Sequence, residues 1–277
     1  MSDPAGRRLF GIYEKALSAS MDWDRKTKSA KAAGFDFVEL CIDENPERIA
    51  RLDLPAQKAG ELTAIARDNG LTMHSLCLSA HRKFPLGSMD DTIVAAGIEL
   101  TKKALDFADN TGLKVLQIAG YDVFYEESSP ETYARFRRGL RTIASLAEEH
   151  DVMLGLENVD TEMSKSIEHC MGIICAIDSP RLELYPDFGN LIAMGVDYLT
   201  DLPRARGHII GLHIKDTRPK TFRKVKPGEG TVDFDKAFAV LREMNCTVPC
   251  VIEMWNEEEP DSTETIRSAL QFVKAGI

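Results

Sequence analysis

The sequence has no apolar run that approaches the roughly 18 residues of a membrane-spanning helix. Cysteine is also sparse, because six cysteines are spread over 277 residues and none form a CxxC pair. Such spacing is not that of a disulfide scaffold. The first ten residues lack the apolar stretch of a secretory signal. Together these absences predict a reduced, cytoplasmic protein.

Positive charge is in deficit, since 34 Lys and Arg face 44 Asp and Glu and give a formal net charge of −10. Nucleic acids and anionic membranes both require a cationic face on a protein partner, so we expect neither of them. The negative net charge does not exclude a local basic pocket for a phosphate group. The composition, with 44% hydrophobic and 28% charged residues, is that of a globular chain of one or two domains.

Short β-branched apolar runs alternate with longer segments of helical period along the chain. Eight runs are predicted as strands, at residues 9–13, 35–42, 71–79, 113–119, 152–157, 182–186, 209–215 and 249–254. Strict alternation favours right-handed crossovers and a parallel sheet. Eight such units fit an α/β fold of the (β/α)₈ TIM-barrel type, which typically takes about 250 residues. We therefore expect residues 1–277 to form a single TIM-barrel domain.

A doubly wound open sheet is the main alternative to the barrel. That fold usually places a glycine-rich GxGxxG turn after its first strand. The first predicted strand here runs into GIYEK, which contains no such turn. The sequence therefore favours the barrel.

The last four predicted strands each end in a possible metal ligand, namely Glu157, Asp187, His213 and Glu253. Active sites of TIM barrels lie at the carboxyl ends of the strands, so these side chains should converge. Buried carboxylates are costly unless a cation neutralises them. Three carboxylates and one imidazole suit one divalent ion, Mn²⁺, Co²⁺, Zn²⁺ or Mg²⁺. The alternative is a polar barrel core held by salt bridges with Lys215 or an arginine.

The segments around these residues, LENVD, YPDFGN, GLHIKD and VIEMW, resemble the metal-ligating segments of the xylose-isomerase-like TIM barrels. The phrases GIYEKAL, GFDFVELCIDE, LSAHRKFPLGS and QIAGYDVFYEE are similar to the L-ribulose-5-phosphate 3-epimerase family, also called hexulose-6-phosphate isomerases. The resemblance covers essentially the whole chain. It implies that Glu157, Asp187, His213 and Glu253 ligate the metal, and that Glu157 and Glu253 are the catalytic acid and base.

The chemistry of a 3-epimerase agrees with two carboxylates. Inverting C3 of a ketose requires that a proton leaves one face and that a proton returns to the other face. A single fixed base would return the proton to the face it came from. Glutamates on both sides of the substrate meet this requirement, and a metal stabilises the enediolate. The expected reaction interconverts L-ribulose 5-phosphate and L-xylulose 5-phosphate.

A phosphorylated ketopentose needs positive charge near its tail. The loop after the seventh strand contains Arg223 and Lys226 among several basic residues, and barrels commonly bind phosphate in this region. We expect at least one of these two side chains to contact the phosphate. A second basic cluster, His81-Arg82-Lys83, lies in the loop after the third strand.

Further substrate contacts are expected at the barrel mouth. The resemblance gives His81 a substrate role. Asn190 stands where the related non-phosphorylated ketose 3-epimerases carry a histidine, and this departure indicates a different substrate tail. Asn190 can still donate to a sugar hydroxyl. The other expected contacts are Glu39, Lys215 and Trp255.

Three other functions remain open at this point. The first is an aldose–ketose isomerase of a hexulose 6-phosphate, which would move a proton between C1 and C2. The second is a sugar-phosphate-binding barrel without catalysis, which would not need a glutamate on each face. The third is an abasic-site endonuclease, which needs more metal ligands than Glu39 and His74 offer at the second and third strands. Barrels of this kind often form dimers, so we expect a homodimer.

Overall fold

A ring of parallel strands forms the centre of the molecule. This computed structural model describes residues 7–218 and 221–276. Its strands are β1 (Phe10–Tyr13), β2 (Phe37–Cys41), β3 (Ser75–Cys77), β4 (Val115–Ala119), β5 (Met153–Glu157), β6 (Leu182–Leu184), β7 (Leu212–Ile214) and β8 (Cys250–Ile252). They pair in the order β6-β5-β4-β3-β2-β1-β8-β7. Parallel bridges Leu184–Ile209 and Asp187–His213 join β6 to β7, so the ring closes. The predicted TIM barrel is confirmed.

Helices surround the ring on its outer side and follow the strands along the chain. They are α1 (Trp23–Ala33), α2 (Pro46–Ile49), α3 (Ala56–Asp68), α4 (Asp91–Thr111), α5 (Pro130–Ala147), α6 (Ile167–Ile177), α7 (Phe188–Ala193), α8 (Tyr198–Asp201), α9 (Phe234–Glu243) and α10 (Thr263–Gly276). Short 3₁₀ helices span Glu14–Ala16, Ala50–Asp53, Ser79–Arg82 and Leu202–Ala205. Among the described residues, no helix combines the length and apolar composition that a membrane crossing requires.

Local sequence signals explain where the helices begin and end. The Ser129 hydroxyl accepts a hydrogen bond from the Thr132 amide, and Pro130 occupies the first turn of α5. Gly34 ends α1 in the left-handed region with a φ of 100°. The predicted strand at 71–79 is shorter in the structure. Before β3, Thr72 forms an isolated bridge to Phe37, and after β3 the chain turns into the 3₁₀ helix Ser79–Arg82.

Packing around Tyr185 inside the barrel fixes the position of Glu39, which lies below the functional site. Tyr185, which follows β6, fills the space that two glycines on either side of β6 leave open, Gly155 in β5 and Gly211 just before β7. A Cβ atom on Gly155 would lie 2.8 Å from the Tyr185 side chain, and one on Gly211 would lie 2.3 Å from it. The Tyr185 hydroxyl donates to Glu39 Oε2 at 2.8 Å. The two glycines therefore fix the position of a polar contact inside the barrel.

A buried ion cluster holds the chain after β1 against two outer segments. Glu14 is fully buried, and its carboxylate accepts hydrogen bonds from Lys26 Nζ at 2.8 Å and from Arg51 at 2.7 and 2.9 Å. The Cys41 amide donates to the same carboxylate at 3.0 Å. Burial favours the protonated acid, yet Arg51 and Lys26 lower the pKa of Glu14 from 4.5 to about 2. The carboxylate thus stabilises the fold in its charged form.

Replacing this carboxylate should destabilise the fold in a pH-dependent way. We expect Glu14→Gln to lower the free energy of unfolding at pH 7 by about 3 kcal/mol, because two cations lose their partner. The folded pKa lies below the unfolded value, so the stabilisation is complete above about pH 4.5 and declines as the pH falls towards 2. Urea unfolding at pH 7 and pH 3 measures this difference.

Glu61→Gln serves as the matched control, because the Glu61–Lys58 pair is exposed and such pairs contribute about 0–1 kcal/mol. The gap between wild type and Glu14→Gln should narrow at pH 3. An equal gap at both pH values would show that the charge of Glu14 does not stabilise the fold.

Candidate metal centre and active site

The carboxyl ends of β5 to β8 bring four potential ligands to one place. Glu157 ends β5, Asp187 begins α7 as its N-cap, His213 lies within β7 and Glu253 directly follows β8. One ligand atom of each residue lies within 4.8 Å of those of the other three, and all four residues are buried. These residues, the quartet, are those that the sequence predicted as metal ligands.

Two asparagines hold Asp187 in place. The Asp187 amide donates to Asn158 Oδ1 at 2.8 Å, and the Asn158 side chain donates back to the Asp187 carbonyl at 3.1 Å. Asp187 Oδ1 accepts from the Asn190 amide at 2.6 Å as the cap of α7. This leaves Asp187 Oδ2 directed at the other quartet members.

His213 is oriented from below by Glu39. The His213 Nε2 atom lies 2.7 Å from Glu39 Oε1, while Nδ1 lies 2.7 Å from Glu157 Oε1. Although burial favours the neutral ring, the carboxylates of Glu39 and Glu157 raise the pKa of His213 well above its usual value. A carboxylate behind a ligating histidine is a common means of fixing the ring and its tautomer. Nδ1 is therefore the nitrogen available to a metal.

The structure places Glu39 away from the cavity where its predicted sugar contact would lie. Glu39 is fully buried below the quartet. Its Oε1 faces His213, and its Oε2 accepts from Ser75 Oγ at 2.6 Å and from Tyr185. Glu39 ends inside the barrel because its β2 position faces inward two residues before the strand ends. It orients a quartet member and does not line the substrate cavity.

Lys215 lies between two of the carboxylates. Its Nζ atom is 2.9 Å from Glu253 Oε2 and 3.2 Å from Asp187 Oδ2. Burial raises the pKa of Asp187 despite Lys215, and repulsion from Glu253 and Glu157 adds to the shift. Burial also acts to raise the pKa of Glu253, but Lys215 holds that pKa below its usual value. The cluster therefore gathers more negative charge than its cations compensate.

The residues present fit a divalent cation. Lys215 pairs with two quartet members, as the salt-bridge alternative expected. Even so, the one ammonium of Lys215 is shared between the buried oxygens Asp187 Oδ2 and Glu253 Oε2, and neither oxygen accepts a hydrogen bond from the described residues. Buried acceptors without hydrogen bonds are rare and costly. Three carboxylates and an imidazole nitrogen around one point are a donor set for Mn²⁺, Co²⁺, Zn²⁺ or Mg²⁺, so the quartet could hold such an ion.

A cavity of about 480 Å³ opens above the quartet. Glu157 and Glu253 line it, whereas Asp187 and His213 are fully buried behind them. Four of the substrate contacts expected from the sequence also line this cavity, namely Asn190, Lys215, Arg223 and Trp255. The Arg223 guanidinium lies 5.9 Å from the centre of the Trp255 ring.

Two other expected contacts lie elsewhere. His81 is 2% exposed and points towards α4, where its Nε2 lies 2.9 Å from Thr101 Oγ1. Burial lowers the pKa of His81 to about 4, so the ring is neutral at pH 7. Lys226 lines a separate cavity of about 290 Å³ beside α10. His81 points away from the cavity because it lies in a tight 3₁₀ turn. Lys226 lies outside the cavity because the loop after β7 is long and continues beyond the barrel mouth.

Further side chains contribute to the site or line the cavity. Gln117 Nε2 donates to Glu157 Oε2 at 2.6 Å and fixes the orientation of that carboxylate. Arg82 faces the cavity from the basic cluster after β3, and Lys15 faces it from the 3₁₀ helix Glu14–Ala16. The Tyr121 hydroxyl donates to Asp160 Oδ1 at 2.7 Å at the cavity wall. The basic cluster was the available signal for Arg82, but its side-chain direction depends on the turn.

Comparison with known proteins agrees with the fold. A family model described as a xylose isomerase-like TIM barrel matches residues 28–276. The L-ribulose-5-phosphate 3-epimerase UlaE of Escherichia coli (strain SE11) is 42% identical over 265 residues, which are 96% of this chain and 93% of that protein.

Solved structures share the fold at low sequence identity. The D-allulose 3-epimerase from Methylomonas sp., in complex with D-allulose, superposes with a TM-score of 0.82 at 19% identity and covers 100% of this chain and 99% of its own. The IOLI protein, whose crystal structure has a bound zinc atom, gives a TM-score of 0.73 at 18% identity, with 97% and 96% covered. At these identities the likeness concerns the barrel alone.

Binding of a divalent cation should stabilise the protein through the quartet. We expect Mn²⁺ to raise the unfolding temperature of chelator-treated protein, because it binds the native site and not the unfolded chain. Asp187→Asn removes a charged ligand and Glu39→Gln weakens the support of His213. We expect each to lower Mn²⁺ affinity by about 10- to 100-fold. Isothermal titration calorimetry on the metal-free variants measures this loss.

Asp160→Asn is the matched control, since Asp160 lies in the same cavity but outside the quartet. This variant should bind Mn²⁺ as the wild type does. If Asp187→Asn also kept the wild-type affinity, the ion would bind somewhere else.

Proposed function

Because the chain belongs to the xylose isomerase-like TIM barrels, and within them to the L-ribulose-5-phosphate 3-epimerase family, we propose that this sugar epimerase interconverts L-ribulose 5-phosphate and L-xylulose 5-phosphate. The name of a relative with 42% identity over 96% of the chain supports this choice of substrate. The cavity and the quartet support the same assignment from the chemistry of their side chains.

The observation that carries the proposal is the placement of the two glutamates. Glu157 and Glu253 come from β5 and β8, the outer two of the four strands that supply the quartet. Both face the cavity, whereas Asp187 and His213 lie behind them. A substrate above the quartet would therefore have a carboxylate on either side of C3. Inversion requires this arrangement, since one base cannot serve both faces.

Each glutamate is held ready for proton transfer by a different neighbour. Gln117 and His213 hold the two oxygens of Glu157, and Lys215 holds Glu253. One glutamate takes the C3 proton, and the other delivers a proton to the opposite face. A divalent cation in the quartet would supply Lewis-acid polarisation of the substrate oxygens, which acidifies C3–H. The substrate direction decides which glutamate acts first.

The cavity wall supplies polar and aromatic contacts for the sugar. Asn190 and Lys215 lie near the quartet, while Arg223 and Trp255 lie on the side of the β7 and β8 loops. We propose that these four side chains contact the sugar or its phosphate. Lys226 is not included, because it lines another cavity. The homodimer and the cytoplasmic location stay predictions from the sequence.

Variants that lack one of the two glutamates should distinguish the proton-transfer roles of Glu157 and Glu253. In D₂O, the wild type should place deuterium at C3 while it epimerises. We expect Glu157→Gln and Glu253→Gln to lower kcat by about 10²- to 10⁴-fold. In each variant the remaining glutamate can still exchange the C3 proton on its own face of the sugar. Each variant should therefore introduce deuterium at C3 of a different epimer without inverting that carbon. Proton NMR of both pentulose phosphates follows label and turnover together.

Glu162→Gln is the control, because Glu162 is an exposed carboxylate after β5 that pairs with Lys165. Metal content is measured in every variant, since both glutamates also belong to the quartet. Deuterium at C1 would indicate an aldose–ketose isomerase instead. Tight sugar-phosphate binding with no exchange under any divalent metal would indicate a binding protein.

A further inference from the structure

The loop between β7 and α9 supplies part of the cavity wall. Residues 215–218 and 221–233 are called the β7 loop below. Its middle part brings Thr221, Phe222 and Arg223 to the cavity. Arg223 also faces the Trp255 ring, with its guanidinium 5.9 Å from the ring centre. The position of this middle part therefore decides whether Arg223 can reach a bound sugar.

The middle part of the β7 loop is poorly fixed by its own surface. Thr221, Arg223 and Lys224 are exposed, so they bury little area against the barrel. Lys224 Nζ lies 3.2 Å from Glu258 Oε1, but both side chains are largely exposed, and such ion pairs contribute little. The placement of Arg223 therefore depends on how the buried base of the loop is held.

Asp216 anchors the base of the β7 loop, and its side chain is 1% exposed. Its Oδ2 atom accepts hydrogen bonds from the amides of Gly228 at 2.9 Å and Gly230 at 2.8 Å. Its Oδ1 atom accepts from the amides of Thr217 at 2.9 Å and Val232 at 3.2 Å. Hydrogen bonds to a carboxylate are stronger than those between neutral groups. One buried side chain thus joins the start of the loop to its end.

A glycine allows the two ends of the loop to come this close. A Cβ atom on Gly230 would overlap Asp216 Oδ1 and the Thr217 carbonyl oxygen. The same carbonyl accepts hydrogen bonds from the Thr231 amide at 2.8 Å and from the Thr231 hydroxyl at 3.0 Å. The loop is therefore closed at its base, and the residues between its ends extend to the cavity.

We propose that Asp216 is a positioning residue for the epimerisation, because it holds Arg223 at the cavity; this role rests on the proposed function. Asp216 does not line the cavity and is not a member of the quartet, so it acts through the β7 loop. A cation that is already in place before an anionic substrate binds loses less conformational entropy on binding. The anchor therefore lowers KM and leaves proton transfer by the two glutamates unchanged.

Asp216→Asn should separate substrate binding from chemistry. The amide keeps the size of the side chain but replaces one acceptor oxygen with a donor, which then faces the amide donors of the loop. For L-ribulose 5-phosphate, we expect KM to rise by about 10-fold with kcat nearly unchanged. Mn²⁺ affinity, measured by calorimetry, should match the wild type. Glu258→Gln is the matched control, because it removes only the exposed pair with Lys224 and should leave KM unchanged.

A double-mutant cycle tests whether Asp216 acts through Arg223. Two residues that serve the same contact give non-additive effects. We expect Arg223→Gln to raise KM at least as much as Asp216→Asn does, and the double variant to raise it no further. Additive increases in KM would overturn the proposal. A fall in kcat or in Mn²⁺ affinity in Asp216→Asn would also overturn it, since Asp216 would then support the barrel as a whole.

The position of the loop can also be measured without turnover. The chain has two tryptophans, so Trp23→Phe isolates the fluorescence of Trp255. In this background, Asp216→Asn should increase the quenching of Trp255 by acrylamide and shift its emission to longer wavelength, because Arg223 no longer covers the ring. Gly230→Ala should have the same effects, and it carries the comparison if Asp216→Asn fails to fold.

The two measurements distinguish the anchor from the reaction. Unchanged quenching of Trp255 in Asp216→Asn and in Gly230→Ala would overturn the positioning role, whatever the substrate is. If the wild type turned over no pentulose phosphate, the proposed function would fail, and the quenching of Trp255 would still decide whether Asp216 holds the β7 loop.

Discussion

The contact between Glu39 and His213 is the interaction on which the rest of the site depends. It links the middle of the barrel to the quartet above it, because the same carboxylate also accepts from Ser75 and Tyr185. With the ring fixed, His213 Nδ1 faces Glu157 and the other carboxylates. Charge gathered in this way is costly in a protein interior unless a cation balances it. The packing inside the barrel and the suitability of the quartet for a cation are thus two aspects of one arrangement.

Much of this arrangement could be predicted from the sequence, for definite physical reasons. Alternation of apolar runs with helical periods specified the eight strands, and the polar residue at the end of each late strand specified the quartet. Parallel strands in a barrel end at the same face, so Glu157 and Glu253 could be expected together without any knowledge of side-chain conformation.

The depth of a residue in the barrel and the direction of its side chain could not be predicted from the sequence in the same way. Glu39 lies two residues before the end of β2, which is enough to place it under the quartet and away from the cavity. In the 3₁₀ helix after β3, His81 and Arg82 are consecutive residues, yet His81 faces α4 and Arg82 faces the cavity. Such differences arise from local turns and from tertiary packing, which hydrophobic periodicity does not report.

The glycines beneath the site show how far its constraints extend. Gly155 and Gly211 have no functional group, yet a methyl group on either would displace Tyr185 and thereby the hydroxyl that anchors Glu39. The geometry of the quartet therefore depends in part on the absence of side chains at Gly155 in β5 and at Gly211 just before β7. Placing the four ligands in another barrel would reproduce their chemistry only if that barrel also had glycines at the two positions that make room for Tyr185.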